Sequence, residues 1–375
     1  MATLYTHNEL RMFPIPNELL YHITDSLQDD IVSLKACSLV SRPWQSAARA
    51  HVLSSITIHK HDDDARSLTA FVHFLASSHS MRPLVKNLRM LAVECSVHDV
   101  YSVLLQLPQC QTLALHVCEI KPSGPGDLFP APPFPHLVAL CYVECIFLRS
   151  WHAAFQLVGL FGHITELSFQ NVVKEDAFPR IAASTDPPDA RSHKTSVESL
   201  KYDLATPYAR EDLQKVSLQW LDLRFLLSLQ IARGPSMVEQ RSDQLFLDSA
   251  VALRQLRLDA DQYVSTDVLG PDAPPSLKSC TKLEAITFSL RLSWRNHLVG
   301  AKLSNVGMLL KSLPQDTQLS AVRFDIIIDK DILAQNYSTH VQRLNWQPFL
   351  QCLHRISSVT HVGIACRHPK HRSMM

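Results

Sequence analysis

Residues able to bind a metal ion or act as nucleophiles cluster at both ends of the sequence. The two clusters are His59, His61 and Asp62–Asp64, and Cys366, His368 and His371. A protein metal site needs about four ligands held by folded elements, whereas the second cluster is interspersed with arginine and lysine. We therefore predict solvated segments at both places and no metal site.

Sequence motifs of enzymes are missing. The chain has no G-x-G-x-x-G, Walker loop, G-x-S-x-G or H-E-x-x-H. Its 9 glycines in 375 residues are few for the loops that bind phosphate groups. Cys141 and Cys145 are four residues apart, and we interpret them as core thiols rather than a redox pair. We predict no catalytic residue, no cofactor and no enzymatic activity.

Composition and charge indicate a globular chain. Apolar residues make up 46%, and 36 Lys and Arg against 35 Asp and Glu leave a net charge of +1, so neither nucleic acid nor an anionic membrane is an expected partner. The first residues lack a signal-peptide core and no apolar run reaches 18 residues. The 9 cysteines include no C-x-x-C pair, so reduced thiols and a cytoplasmic or nuclear location are expected.

Residues 12–58 predict three short helices and a strand. The first helix follows Pro16, the second is capped by Asp29 or Asp30, and the third is capped by Ser41. Alternating residues 53–58 predict the strand. Three helices in about 45 residues bury little core alone. The segment therefore either packs on the rest of its chain or presents a helix groove to a partner.

Many of these residues match a known pattern at fixed spacing, with a Pro-x-Glu-Leu opening, an Ala-Cys-Ser-Leu-Val centre and an Arg-x-Trp. They are Pro16, Glu18, Leu19, Ile23, Leu27, Leu34, Ala36, Cys37, Ser38, Leu39, Val40, Arg42 and Trp44. Over residues 13–58 the chain resembles the fungal form of the F-box, with Ser41 where many members carry cysteine. The resemblance implies a module that docks on the Skp-type adaptor of a cullin–RING ubiquitin ligase, while the rest of the chain recruits the target.

The predicted adaptor-binding residues combine that resemblance with the apolar stripes. They are Pro16, Leu19, Leu20, Ile23, Leu27, Leu34, Leu39, Val40 and Trp44. Some of them must form the core of the segment itself, and the sequence does not separate the two sets.

Residues 59–375 repeat an apolar-x-x-apolar-x-apolar frame at a mean interval of about 30 residues. The central residues are Leu91, Leu113, Leu140, Leu167, Leu200, Leu229, Leu256, Ile286, Val322 and Val362. Amphipathic helical stripes lie between several frames, and Cys118 and Cys145 follow two of them. The pattern predicts an α/β fold with parallel strands. It resembles an irregular leucine-rich-repeat-like solenoid, the alternative being an ordinary α/β sheet with irregular crossovers.

Polar residues that flank the frames should point away from the core, because side chains alternate along a strand. We predict that they form a target-binding face: Glu94, His116, Glu166, Gln170, Lys201, Asp203, Gln255, Arg257, Asp259, Arg323, Asp325 and His361. Segments 121–135, 174–195 and 270–276 are predicted insertions.

These predictions lead to two functional hypotheses. In the first, an F-box at 12–58 and a repeat domain at 59–375 make the chain the substrate-recognition subunit of a cullin–RING ubiquitin ligase, without catalytic activity of its own. In the second, the chain is a non-catalytic scaffold whose N-terminal helices only cap the solenoid, since solenoids need capped ends.

Overall fold

The computed structural model describes eleven stretches of the chain. They are residues 15–59, 67–123, 132–148, 151–175, 193–203, 207–232, 240–259, 276–292, 299–328, 346–356 and 358–367. The predicted solvated residues His61–Asp64, His368 and His371 lie outside them, as do most residues of the three predicted insertions.

The described residues form ten α-helices. They are α1 Asn17–Ser26, α2 Ile31–Ser38, α3 Arg42–Val52, α4 Ser67–Ser77, α5 Val97–Leu105, α6 His152–Val158, α7 Pro207–Trp220, α8 Gln240–Ser249, α9 Val299–Lys311 and α10 Gln347–Leu353. The stripes that begin at Leu68, Val97, Trp151 and Leu303 predict α4, α5, α6 and α9, and these helices are confirmed.

Sixteen strands form two sheets in the described residues. The large sheet has β1 Ser55–His59, β2 Asn87–Leu91, β4 Thr112–His116, β6 Phe134–Val143, β8 Phe161–Gln170, β10 Thr195–Asp203, β11 Leu221–Asp222, β12 Ser228–Ala232, β13 Gln255–Asp259, β14 Ala285–Leu292, β15 Ala321–Ile328 and β16 His361–Arg367. The small sheet has β3 Glu94–Ser96, β5 Glu119–Lys121, β7 Ile146–Leu148 and β9 Val173–Glu175.

The strands of the large sheet follow one another in chain order. Its order is β1-β2-β4-β6-β8-β10-β12-β13-β14-β15-β16, and β11 pairs with β10. Every pair of neighbouring strands in its described residues is parallel. The predicted α/β class with parallel strands is therefore confirmed.

Two apolar rows run across the large sheet because the repeated frames are in register. One row contains Ile56, Leu88, Leu113, Leu140, Leu167, Leu200, Leu229, Leu256, Ile286, Val322 and Val362. The other runs from Ile58 and Met90 through Tyr142, Phe169 and Tyr202 to Phe324 and Ile364. Helices α4–α10 contribute buried residues to the same apolar cluster, so they cover this face of the sheet.

The first predicted frame is displaced by three residues. Leu88/Leu91/Val93 matches the pattern, but the register aligns Leu88 with Leu113 and Met90 with Leu115. The frame that packs is therefore Val85/Leu88/Met90, whose side chains are all buried. Overlapping matches in an apolar segment allowed the error, because three apolar positions alone do not fix the register.

A left-handed turn follows four consecutive strands of the large sheet. Ala92, Val117, Glu144 and Asn171 have φ between 50° and 54°. Each donates its N–H to a carbonyl of the next strand, as Val117 does to Val143 at 2.8 Å. These turns lead into β3, β5, β7 and β9, which form the small parallel sheet. The position disfavours β-branched residues, so Val117 is strained there.

Strand β1 joins the N-terminal helices to the large sheet. Its residues pair with Asn87–Leu91 of β2, so the strand predicted at the end of the N-terminal segment is the first strand of this sheet. The carbonyl of Ser54 also accepts hydrogen bonds from the N–H groups of Lys86 (2.9 Å) and Asn87 (2.8 Å). The domain division at residue 58 stays a prediction, and the sheet begins before it.

Candidate functional site

Helices α1–α3 expose an unusual share of apolar surface. Of the 22 large apolar residues exposed in the described part of the chain, eight lie between residues 15 and 40: Ile15, Leu19, Tyr21, Ile23, Ile31, Val32, Leu39 and Val40. The most exposed of them are Leu39 at 86% and Val32 at 79%. Apolar residues concentrated on one small unit are typical of a protein-interaction surface.

The structure divides the predicted adaptor-binding residues into three groups. Pro16, Leu19, Ile23, Leu39 and Val40 are exposed, and Leu27 and Trp44 are half-buried. Leu20 and Leu34 are buried with Ala47 and Ala48 in the core of the three helices. These two leucines are thus core residues, as the sequence predicted for some of the nine without identifying them.

Local hydrogen bonds place Leu39 and Val40 between two helices. Asp30 caps α2 as predicted: its carboxylate accepts hydrogen bonds from the N–H of Ser33 (3.0 Å) and the hydroxyl of Ser33 (2.6 Å). These bonds lower the pKa of Asp30. The helix ends at Ser38, and α3 begins at Arg42 after the predicted cap. Leu39 and Val40 therefore lie in an exposed turn.

A contact between His51 and Asp25 joins the last helix of the unit to the first, with Nε2 of His51 2.8 Å from the carboxylate. Buried Thr24 donates its hydroxyl to the carbonyl of Leu20 at 3.0 Å. The unit has its own buried residues, and the large apolar cluster that starts at Ile58 does not include them.

Sequence reasoning missed Ile15, Tyr21, Ile31 and Val32 as exposed apolar residues. Tyr21 and Val32 lie outside the apolar stripes from which the helices were predicted. That position was the signal in the sequence that could have identified them as exposed. An apolar residue outside the stripe of an amphipathic helix faces solvent unless another element covers it.

The open face of the large sheet contains eleven of the twelve predicted target-binding residues, in three parallel rows. Glu166, Gln255 and His361 occupy the first row; Lys201, Arg257 and Arg323 the second; His116, Gln170, Asp203, Asp259 and Asp325 the third. The lysine and the arginines therefore lie in one row and the aspartates in another. This separation is not visible in the sequence, where positive and negative residues are interspersed.

Glu94 is not on this face. It begins β3 of the small sheet and forms an ion pair with Lys121 of β5. The displaced first frame caused this error, and it also hid Arg89, which aligns with Ala114 in the second row. Arg89 contacts His116 at 3.4 Å between Nη2 and Nδ1. Burial, followed by the charge of Arg89, lowers the pKa of His116.

The cysteines are mostly structural. The thiol of Cys145 donates to the carbonyl of Leu115 at 3.1 Å, and that of Cys118 to the carbonyl of His116 at 3.3 Å. A side-chain hydrogen bond with Cys118 and burial raise the pKa of Cys145, which disfavours the reactive thiolate form of this thiol. Cys141 instead lies half-buried in the second row of the open face, so its assignment to the core was wrong.

A cleft of about 540 Å³ lies near β11 and has a mixed polar and apolar lining that includes Lys194, Asp222 and Arg224. Arg224 and Asp222 pair at 2.7 Å, and Lys194 donates to the carbonyl of Leu218 at 2.7 Å. The described residues contain no group of three or more His, Cys, Asp or Glu placed to hold a metal. No helix within them is both long and apolar enough to cross a membrane.

Comparisons with known proteins give no assignment. No protein-family model matches the chain. None of the curated proteins matches its sequence either.

Proposed function

We propose that this chain is the substrate-recognition subunit of a cullin–RING ubiquitin ligase. In this proposal, residues 12–58 contain an F-box that docks on a Skp-type adaptor, and the large sheet with its helices is a leucine-rich-repeat-like domain that binds the target. The chain itself performs no chemistry. It holds the target close to a ubiquitin-charged enzyme, so that transfer becomes effectively intramolecular.

The observation that carries the proposal is the exposed apolar surface of α1–α3. Eight large apolar side chains in 26 residues are costly to leave in water, and a partner that covers them would supply the stabilisation. Two of the most exposed side chains, those of Leu39 and Val40, also belong to the Ala-Cys-Ser-Leu-Val segment by which the chain resembles an F-box. An interface centred on that turn fits both observations.

Support for the repeat domain comes from the order and register of the strands. Successive units of about 30 residues each add one parallel strand beside the previous one. Each unit buries its apolar residues against its neighbours, as the units of a solenoid do.

A second candidate function, a scaffold whose N-terminal helices cap the sheet, is favoured by one observation. The chain passes directly from α3 through Ser54 into the edge strand β1, so the helices stand at the end of the sheet where a cap would be needed. The separate buried core of α1–α3 favours a docking module instead.

Co-expression with a Skp-type adaptor, followed by pull-down and calorimetry, tests the first proposal. The variant is Leu39→Ser with Val40→Ser, because both side chains are exposed and their replacement leaves the core intact. Loss of two interface anchors should weaken adaptor binding by about 2 kcal/mol or more. Leu20 is unsuitable, since truncating a buried leucine also destabilises the fold.

The matched control is Leu245→Ser with Val251→Ser, a pair that is also exposed but lies at α8. This variant should bind the adaptor like the unmodified chain. Equal adaptor affinity of both double variants, or no complex with the unmodified chain, would refute the receptor role and favour the scaffold.

A further inference from the structure

A buried carboxylate on the open face is held by two arginines. Asp325 on β15 is 2% exposed, and its oxygens accept from Nε of Arg323 (2.9 Å) and Nη2 of Arg257 (2.8 Å). Arg257 lies two strands away on β13, so its side chain extends across β14, where Nη2 also lies 3.3 Å from the hydroxyl of Ser289. The two guanidinium groups therefore converge on one carboxylate.

This arrangement leaves unused donors and positive charge at the surface. A guanidinium has five N–H donors, and the bonds above use Nε of Arg323 and Nη2 of Arg257. Within the described residues, the terminal nitrogens of Arg323 have no hydrogen-bond partner, and its side chain is 51% exposed.

The surrounding row consists of hydrogen-bond donors. On five adjacent strands, β10 and β12–β15, the register aligns Lys201, Gln230, Arg257, Thr287 and Arg323. None of these side chains is a carboxylate. The aspartates stand in the next row, where Asp325 is taken up by the two arginines and Asp259 is half-buried.

We propose that the pair Arg257 and Arg323 binds a carboxylate side chain of an acidic peptide segment that lies across β13–β15. That this segment belongs to the target of a ligase rests on the proposed function. Asp325 orients the two planar guanidinium groups, and the remaining N–H donors face the open side of the sheet. Arginine suits this role because its donors match both oxygens of a carboxylate. Gln230 and Thr287 are placed to bond the peptide backbone.

The neighbouring aspartates favour a carboxylate over a phosphate or a nucleic acid. A carboxylate brings a single negative charge to the two arginines, whereas a phosphate group brings −1.5 to −2 close to Asp259 and Asp325. A nucleic-acid strand would bring a series of phosphates against the same row of aspartates. The surface therefore fits a peptide with separated acidic side chains.

Fluorescence anisotropy with the full chain tests this assignment. The probe is a labelled twelve-residue peptide of alternating glutamate and serine, compared with the same peptide carrying glutamine for glutamate. A third peptide carries phosphoserine in place of glutamate, and the fourth probe is a twelve-residue oligothymidylate. The variant is Arg323→Gln, which leaves Arg257 on Asp325. The matched control is Arg254→Gln, whose arginine is also exposed but pairs with Glu284 outside the site.

The glutamate peptide should bind, the glutamine peptide should not, and binding should weaken with salt. Arg323→Gln should weaken binding roughly tenfold, and Arg254→Gln should leave it unchanged. Arg323→Lys should recover binding in part, since it keeps the charge but loses the planar fork. It serves as the main variant if Arg323→Gln fails to fold.

Equal binding of the glutamate and glutamine peptides would overturn the inference, as would equal affinities of the Arg323 and Arg254 variants. Tighter binding of phosphoserine or oligothymidylate would assign the surface to another ligand class and overturn it too. Adaptor binding is measured separately on the same samples. Peptide binding without adaptor binding would refute the ligase role alone, and adaptor binding without peptide binding would refute only this inference.

Discussion

The three N-terminal helices and the large sheet differ in how many of their apolar side chains are exposed. Residues 15–40 leave eight large apolar side chains exposed, whereas the second apolar row of the sheet is buried from β1 to β15. In the sheet, the strands between the edge strands β1 and β16 have a neighbour on both sides, and helices cover one face. The helical unit is too short to cover its own apolar residues. In the sheet, neighbouring repeat units therefore bury the apolar side chains. In the N-terminal helices, the exposed apolar side chains would be buried only by a partner.

The last strand of the sheet also leaves apolar side chains exposed. Val362 and Ile364 on β16 continue the two apolar rows, yet both are exposed. Strand β16 has β15 on one side, and it is the last in the order of the described strands. The frame residues of this last strand are thus exposed, whereas the same rows are buried on the strands that have a neighbour on both sides.

The largest expected effect comes from the interior of the sheet. Phe169 is fully buried, and its ring stacks between those of Tyr142 (5.1 Å) and Tyr202 (5.6 Å). We expect Phe169→Ala to lower the free energy of unfolding by about 3–5 kcal/mol, because it creates a cavity in packed surroundings. Urea denaturation measures this change. Exposed Phe225 is the matched control, and Phe225→Ala should change stability by less than about 1 kcal/mol.

Truncation tests whether the two regions are independent. A chain beginning at Ser54 keeps β1, and we expect it to fold with a melting temperature close to that of the full chain, because α1–α3 have their own core. A chain beginning at residue 60 loses the half-buried Ile56 and the buried Ile58. Burial of Ile58 alone is worth about 1.5–3 kcal/mol, so this chain should melt lower. Collapse of the chain that begins at Ser54 would make the helices a cap.

Substitutions at the left-handed turns should change the stability of the protein less than Phe169→Ala does. Val117 and Asn171 occupy the same position in different units, with φ of 53° and 50°. Asparagine tolerates this conformation and valine does not. We expect Val117→Asn to stabilise the protein, and Asn171→Val to destabilise it, by about 1 kcal/mol each. Thermal melting measures both, and a shift of the same sign in both variants would contradict the strain at Val117.

Much of the fold was predictable because its repeat is local. The frames around Leu113, Leu140 and Leu167 predict their strands, and helical stripes predict α4, α5, α6 and α9. Only the first frame was misplaced, because two overlapping matches fit the same apolar segment. That displacement moved Glu94 onto the wrong sheet and concealed Arg89. The sequence could not divide the adaptor-binding residues into core and surface for a different reason: helical spacing marks an apolar stripe but does not show what covers it.

The sequence by itself determined the class of the fold, the capping of α2 by one of the two residues Asp29 and Asp30, and the positions of most strands. These depend on residue type and on spacing along the chain. The tertiary structure decided that Leu20 and Leu34 are core residues while Leu39 and Val40 face solvent. It also brought Arg257 across β14 to Asp325. Such contacts join residues 68 positions apart, and only the parallel register of intervening strands brings them within hydrogen-bonding distance.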